Sequence, residues 1–305
     1  MYHFKEMRDQ LIKQAQTKKA VVAVAAAGDL PVLQTVKMMN DYGFGTAILV
    51  GDAAKIEYFA KETGCNLEEN TVVDIKDENQ AANVAVGLAR NDAADIVMKG
   101  LLQTKTYLKA ILNKEHGLRT GKLLNAVTAF EATALGRVFL ATDCGMIVSP
   151  TLEDKVEMIG NATTLANALG CEMPKISCLS AVETVNANMP DGYDAAVLSK
   201  MNERGQIKGC IIDGPLSMDL SISEMSVEHK GITSPVAGKA DVLLMPNLQA
   251  GNIFWKTMPY LAGAKSGAVV MGTAKPAVLT SRADTAEAKL NSVAMALLLA
   301  AHQKR

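Results

Sequence analysis

Short β-branched runs alternate with helix-patterned stretches along most of the 305-residue chain, and this alternation limits the fold more than any other feature. Strand-like runs at 20–26, 46–50, 71–75 and 95–98 are each followed by a helical pattern, at 30–42, 53–63, 78–91 and 104–113. A repeated βα unit predicts a mainly parallel sheet with helices on both faces. Composition fits buried parallel strands under Ala-rich helices. Apolar residues make up 49% of the chain but aromatics only 4%, so the core must come from Ala, Val, Leu, Ile and Met.

The pattern changes between 120 and 150. Runs at 123–130 and 137–142 are separated by 131–136, too short for a crossover helix, so they predict an antiparallel pair. Pro150 closes this stretch and a helical pattern covers 152–169. Strand-like runs return at 175–179, 209–212, 241–245 and 267–271, and a long Ala/Leu-rich helix at 284–301 ends the pattern. The expectation is two α/β/α lobes with a cleft between them. One comprises 1–121, completed by the C-terminal segment 276–305; the other comprises 122–275.

Several function classes are disfavoured. A formal net charge of −1 gives no field for gathering nucleic acid or an acidic membrane, so an anionic substrate would need local groups. Five cysteines, an odd count without CxxC, suit reduced thiols in a cytoplasm. Residues 1–16 lack the apolar core of a signal peptide, and the apolar run 293–301 is too short for a membrane span. Gly43-Phe-Gly45 lacks the third glycine of a dinucleotide fingerprint, and neither Gly121-Lys122 nor Gly238-Lys239 completes a P-loop. The four histidines are scattered without ligand spacing, and no GxSxG elbow is present.

Three C-terminal loops place polar, Gly and Pro residues beside apolar runs. In the first, Asp213 ends a strand and Gly214-Pro215 turns the chain; Asp213 serves either as a turn cap or as part of a cleft floor. The second holds Ser234, Gly238 and Lys239 before a strand, then Asn247 as an N-cap, Gly251 and Asn252 on the helix that follows. A helix N-terminus there could draw an anion, and Gly251 would allow close approach. The third is Thr280-Ser281-Arg282-Ala283-Asp284, opening the last helix. Asp284 and Glu287 read as a capping-box variant, and Arg282 can fork onto a phosphate.

The strings Asp213-Gly-Pro-Leu216, Ser234-Pro-Val-Ala-Gly-Lys-Ala240, Met245-Pro-Asn-Leu-Gln-Ala-Gly-Asn252 and Ser281-Arg282 resemble the phosphate acetyl/butyryltransferase family. Lys99-Gly-Leu-Leu-Gln-Thr104 and Ser281-Arg-Ala-Asp284 are similar to its butyryltransferase branch in particular. The resemblance implies a fold shared with isocitrate and isopropylmalate dehydrogenases, homodimers or higher oligomers, and a site in the cleft. It implies reversible acyl transfer between coenzyme A and inorganic phosphate, butanoyl or acetyl being the group moved. Coenzyme A is then a substrate, and no cofactor or metal is required. Ser281 and Arg282 match the family's catalytic serine and arginine. The resemblance puts the catalytic aspartate of the acetyltransferase branch on Ala288, so the base role is left to Asp284, Glu287 or another loop, or the thiolate forms without a dedicated base. Thr104, Asp213, Gly214, Ser234, Lys239, Asn247, Gly251 and Asn252 are the candidate substrate-binding positions.

Two rival chemistries are open. Cys144, in a loop after a strand, could form a covalent acyl-thioester. A metal-dependent decarboxylating dehydrogenase would need clustered aspartates, yet Asp213, Asp219 and Asp241 fall on different elements. A non-catalytic CoA-binding protein is the third class.

Overall fold

The computed structural model describes residues 1–304, which divide into two compact units. Residues 4–122 and 267–304 form one; residues 1–3 and 123–266 form the other.

The first unit opens with α1 (Phe4–Ala15), β1 (Ala20–Ala25), α2 (Leu30–Asp41), β2 (Gly45–Gly51), α3 (Ala53–Thr63), β3 (Thr71–Asp74), α4 (Glu78–Arg90), β4 (Ile96–Lys99) and α5 (Thr104–Ile111). The second unit holds β5 (Asn125–Ala132), β6 (Arg137–Thr142), α6 (Leu152–Ala168), β7 (Lys175–Leu179), α7 (Pro190–Glu203), β8 (Ile211–Leu216), α8 (Met218–Ile222), α9 (Glu224–Lys230), β9 (Val242–Leu244) and α10 (Leu248–Leu261). The chain then returns to the first unit through β10 (Lys265–Met271), β11 (Ala277–Val278) and α11 (Ala286–Gln303).

In the first unit the strands lie in the order β3-β2-β1-β4-β11-β10, parallel except for the β10–β11 pair. Val24, Met98 and Val278 stand abreast on β1, β4 and β11, all buried. Because these strands run the same way, the loops following them emerge at one edge. That edge is where parallel sheets bind ligands.

Helix α11 explains its Ala/Leu-rich composition. Its residues from Lys289 to Ala300 are all buried, and it packs on α1, α2, β4 and β11. A helix apolar on all sides needs cover all round. Its few polar side chains are used: Ser292 Oγ donates to the Ala288 carbonyl at 2.8 Å and accepts from the Ala268 N–H at 2.9 Å. Arg8 donates to Asn291 Oδ1 at 3.1 Å.

In the second unit the order is β5-β6-β9-β7-β8, with β5 and β6 the antiparallel pair and the rest parallel. Its core centres on Phe130, Phe139 and Phe254, whose rings lie 5.5–6.3 Å apart. Strand β8 differs from its sequence reading. Asp213-Gly214-Pro215 continue the strand to Leu216 instead of turning the chain. The reason is position: β8 is an edge strand, where the missing N–H of Pro215 breaks no ladder.

Helix α10 lies against the loop after β6. A Cβ on Gly251 would stand 2.1 Å from the Asp143 carbonyl oxygen, so only glycine fits. Gly160, an exposed position inside α6, has no atom within 4 Å of its would-be Cβ. We expect Gly251→Ala to destabilise the protein by about 1–3 kcal/mol through overpacking. Gly160→Ala should stabilise it by about 0.5–1 kcal/mol through helix propensity. Urea unfolding of the two variants checks both signs.

Candidate active site

Three loops meet at the carboxyl edge of β1, β4 and β11, and each brings charged or hydroxyl side chains. The loop after β4 begins at Lys99, which is only 2% exposed. Its Nζ donates to the carbonyls of Gly100 at 3.2 Å and Leu102 at 3.0 Å. Gly100 is required by this packing, since a Cβ there would lie 2.2 Å from the Ala26 carbonyl oxygen. Burial lowers the Lys99 pKa to about 8, with Lys289 and Arg282 repelling its charge; Asp284 and Asp29 act in the opposite direction. Thr104, exposed, is the first residue of α5 a few positions on.

The loop after β11 holds Thr280 to Asp284. Lys289, 3% exposed on the first turn of α11, reaches back into it. The Lys289 Nζ donates to Thr280 Oγ1 at 3.2 Å and to the Ser281 carbonyl at 2.9 Å. Burial holds the Lys289 pKa down, against Asp284 and Asp29. Asp284 Oδ2 accepts the Ser281 N–H at 2.7 Å, and the Asp284 N–H donates to the Ser281 carbonyl at 3.2 Å. The helix cap is therefore not Asp284. Thr285 is the N-cap of α11, its Oγ1 accepting from the Ala288 N–H at 3.2 Å. Asp284 instead closes a tight loop that presents Ser281. The Ser281 Oγ accepts a long bond from the Ala283 N–H at 3.4 Å, which leaves its O–H to donate, and Arg282 is exposed. Glu287 lies in the first turn of α11.

The loop after β1 contributes Asp29, half-buried at the N-cap of α2. Desolvation raises its pKa, against the pull of Lys289 and Lys99.

Ser281, Arg282 and Asp284 are thus gathered with Lys99, Lys289 and Asp29. Of the last three, sequence marks Asp29 and Lys99 only as residues after strands, at the ends where such sheets bind ligands, and does not mark Lys289. The signal was available for two: a lysine closing an otherwise apolar strand, and a lysine inside an apolar helix, are each out of place in a core.

The remaining positions belong to the second unit. Asn247 caps α10 as expected, accepting the Ala250 N–H at 3.0 Å. Asn252 Nδ2 donates to the Cys144 carbonyl at 3.4 Å. Asp213 accepts the Gly214 N–H at 2.9 Å within β8. Ser234 and Lys239 lie before the amino end of β9, not at its carboxyl end with Asn247. Ser234 Oγ caps the N–H groups of Val236 and Ala237 at 3.1 and 3.0 Å, and the exposed Lys239 pairs with Glu224 at 3.3 Å. At the carboxyl ends of β7, β8 and β9 a cavity of about 460 Å³ is lined by Leu179, Met189, Met218, Met245 and Phe254, with Asn247 at its wall.

Cys144 is a poor nucleophile. It is fully buried, and burial, reinforced by Asp143, pushes its thiol well above the ordinary range. Among the described residues, no group of three or more His, Cys, Asp or Glu side chains is placed to hold a metal ion, and no helix is long and apolar enough to cross a membrane.

A parallel α/β unit that aims lysines, an arginine and a serine hydroxyl at the carboxyl edge of its sheet defines an enzyme that handles an anion. Sequence comparison narrows the class. The family model described as phosphate acetyl/butaryl transferase matches residues 6–91 and 78–297. A phosphate butyryltransferase of Clostridium beijerinckii is 45% identical over 302 residues, covering 99% of both chains. A phosphate acetyltransferase of Thermotoga maritima is 40% identical over 292 residues, covering 96% of this chain and 99% of its own. Among solved structures, a branched-chain phosphotransacylase from Enterococcus faecalis superposes with a TM-score of 0.82 at 33% identity, over 92% of this chain and 99% of that one. The chain belongs to the phosphate acetyl/butyryl transferase family.

The buried Lys99 makes a testable contribution to stability. Below pH about 8 its ammonium is charged in both the folded and unfolded states. Between about 8 and the ordinary 10.5 the folded state has lost the proton while the unfolded state keeps it. Unfolding then takes up a proton, so this group adds stability as pH rises through that window. Urea unfolding at pH 7, 8.5 and 10 should show wild type gaining on Lys99→Met from pH 8 upward. A difference that stays flat would remove the lowered pKa.

Proposed function

We propose that the chain transfers a short acyl group, butanoyl in the first instance, between coenzyme A and inorganic phosphate. The observation that carries this reading is the loop Thr280–Asp284, where a donor-ready serine and an exposed arginine are held over two buried lysines. Arg282 binds the phosphoryl group by its fork of N–H donors. The Ser281 O–H donates to the oxyanion as the acyl carbon becomes tetrahedral. Asp284 keeps Ser281 in place through the 2.7 Å bond to its N–H. Lys99 and Lys289 supply positive potential beneath. Acyl transfer is direct, in a ternary complex, because the buried Cys144 is unsuited to carry the group. Thr104, at the start of α5 in the same unit as Ser281, is the position proposed to meet the acyl-CoA.

Acetyl transfer is the second reading, favoured by the 40% identity to a phosphate acetyltransferase. The five free cysteines suit a cytoplasmic setting, and the family resemblance suggests a homo-oligomer.

The direct assay is phosphate-dependent release of CoA thiol from butanoyl-CoA and acetyl-CoA. Butanoyl-CoA should have the higher kcat/KM; the reverse order would favour the acetyl reading, and no release from either would refute acyl transfer. Ser281→Ala should lower kcat by about 10²–10³ with a smaller change in KM. Arg282→Gln should chiefly raise the KM for phosphate. Cys144→Ala should keep single-displacement kinetics, and ping-pong behaviour in wild type would reinstate the covalent route.

A further inference from the structure

In the direction from acyl phosphate the CoA thiol must lose its proton, and the family resemblance implies an aspartate for that step at position 288, where this chain has Ala288. Asp284 is committed to the Ser281 N–H at 2.7 Å, and accepting a proton would weaken the loop it closes. Asp29 is placed differently. It holds the N-cap position of α2, where an aspartate normally accepts a helix N–H; the Val32 N–H pulls on its carboxylate, but no capping bond of ordinary geometry forms. Asp52 and Asp77, which begin α3 and α4, both do. Pro31, in the first turn of α2, removes one N–H that Asp29 could have capped. Of the influences lowering its pKa, the Val32 N–H ranks after Lys289 and Lys99.

Asp29 shares those two lysines with the serine loop. Lys289 is bonded to Thr280 and Ser281 and feels both Asp29 and Asp284; Lys99 feels Asp29, Asp284, Arg282 and Lys289. All lie in one unit, at one sheet edge.

We propose that Asp29 is the general base of the reaction, the role that position 288 cannot fill in this chain. The assignment rests on the acyltransferase reading above. In the direction from acyl phosphate, the S–H bond of CoA breaks and its proton passes to the Asp29 carboxylate. The sulfur lone pair forms the C–S bond to the acyl carbon, and the C–O bond to phosphate breaks with its electrons leaving on phosphate. In reverse, protonated Asp29 returns the proton to the departing thiolate. Desolvation suits the role, since a carboxylate made more basic accepts a thiol proton more readily.

The test is the pH dependence of CoA thiol consumption with butanoyl phosphate, from pH 6 to 9, for wild type, Asp29→Asn and Asp29→Ser. A general base is worth about 10²–10⁴-fold, so both variants should lose about that much at pH 6.5. The deficit should shrink about tenfold per pH unit as the thiol ionises unaided toward its own pKa of about 8.5. Asp52→Asn, at another helix start, should leave the profile unchanged. A variant with the wild-type profile would overturn the assignment. So would a deficit equal at every pH, or loss of fold in both variants, because either result would make the role structural. Wild type inactive with every short acyl phosphate would instead refute the acyltransferase reading itself.

Discussion

Two buried ammonium groups bonded to backbone oxygens hold the candidate site together. An ammonium taken out of water costs several kcal/mol unless its protons find partners. Lys99 finds the carbonyls of Gly100 and Leu102; Lys289 finds the Thr280 hydroxyl and the Ser281 carbonyl. Each lysine therefore fixes the loop that carries the chemistry, and the parallel register of β1, β4 and β11 brings those loops to one edge. The choice of partner matters. A carbonyl solvates a cation without cancelling its charge, whereas a bidentate carboxylate pair would neutralise it. Positive potential thus survives at the sheet edge for an anion to use.

The second unit applies the same device with the opposite sign. The Asp143 carboxylate, buried after β6, accepts N–H bonds from Ala126 at 2.7 Å, Gly145 at 2.5 Å and Met146 at 2.6 Å. Desolvation raises its pKa and these bonds pull it back. The loop so ordered is the one that Gly251 lets α10 approach. Charge buried in this protein organises backbone in both units.

What the sequence made legible follows from local chemistry. The βα alternation gave β1 to β4 and β10 to within a residue or two, because each is a short apolar run between polar ends, but the two-residue β11 is too short to leave such a pattern. Asn247 announced itself as a cap because capping depends only on the residue and its next turn. Helix α7 was not anticipated, since its apolar residues are few and Pro190 looks like a breaker until it is seen in the first turn. Asp213 was placed at a strand end because Gly-Pro usually turns a chain; only the position of β8 at the sheet edge lets Pro215 stay in the strand. Lys99 and Lys289 belong to the harder class. Their significance depends on β4 and α11 lying side by side, 190 positions apart in sequence, and no local pattern encodes that neighbourhood.

Charge at this edge is shared between lysines, an arginine and carboxylates. Lys99, Lys289 and Arg282 are three cationic side chains; the carboxylates that act on Lys99 are those of Asp284 and Asp29. The arrangement also separates two duties among the carboxylates. Asp284 orients Ser281 and is held by doing so, while Asp29 is acted on more by Lys289 and Lys99 than by the Val32 N–H of its own helix. Dividing the work in this way lets one carboxylate change its protonation state without loosening the loop that the other holds.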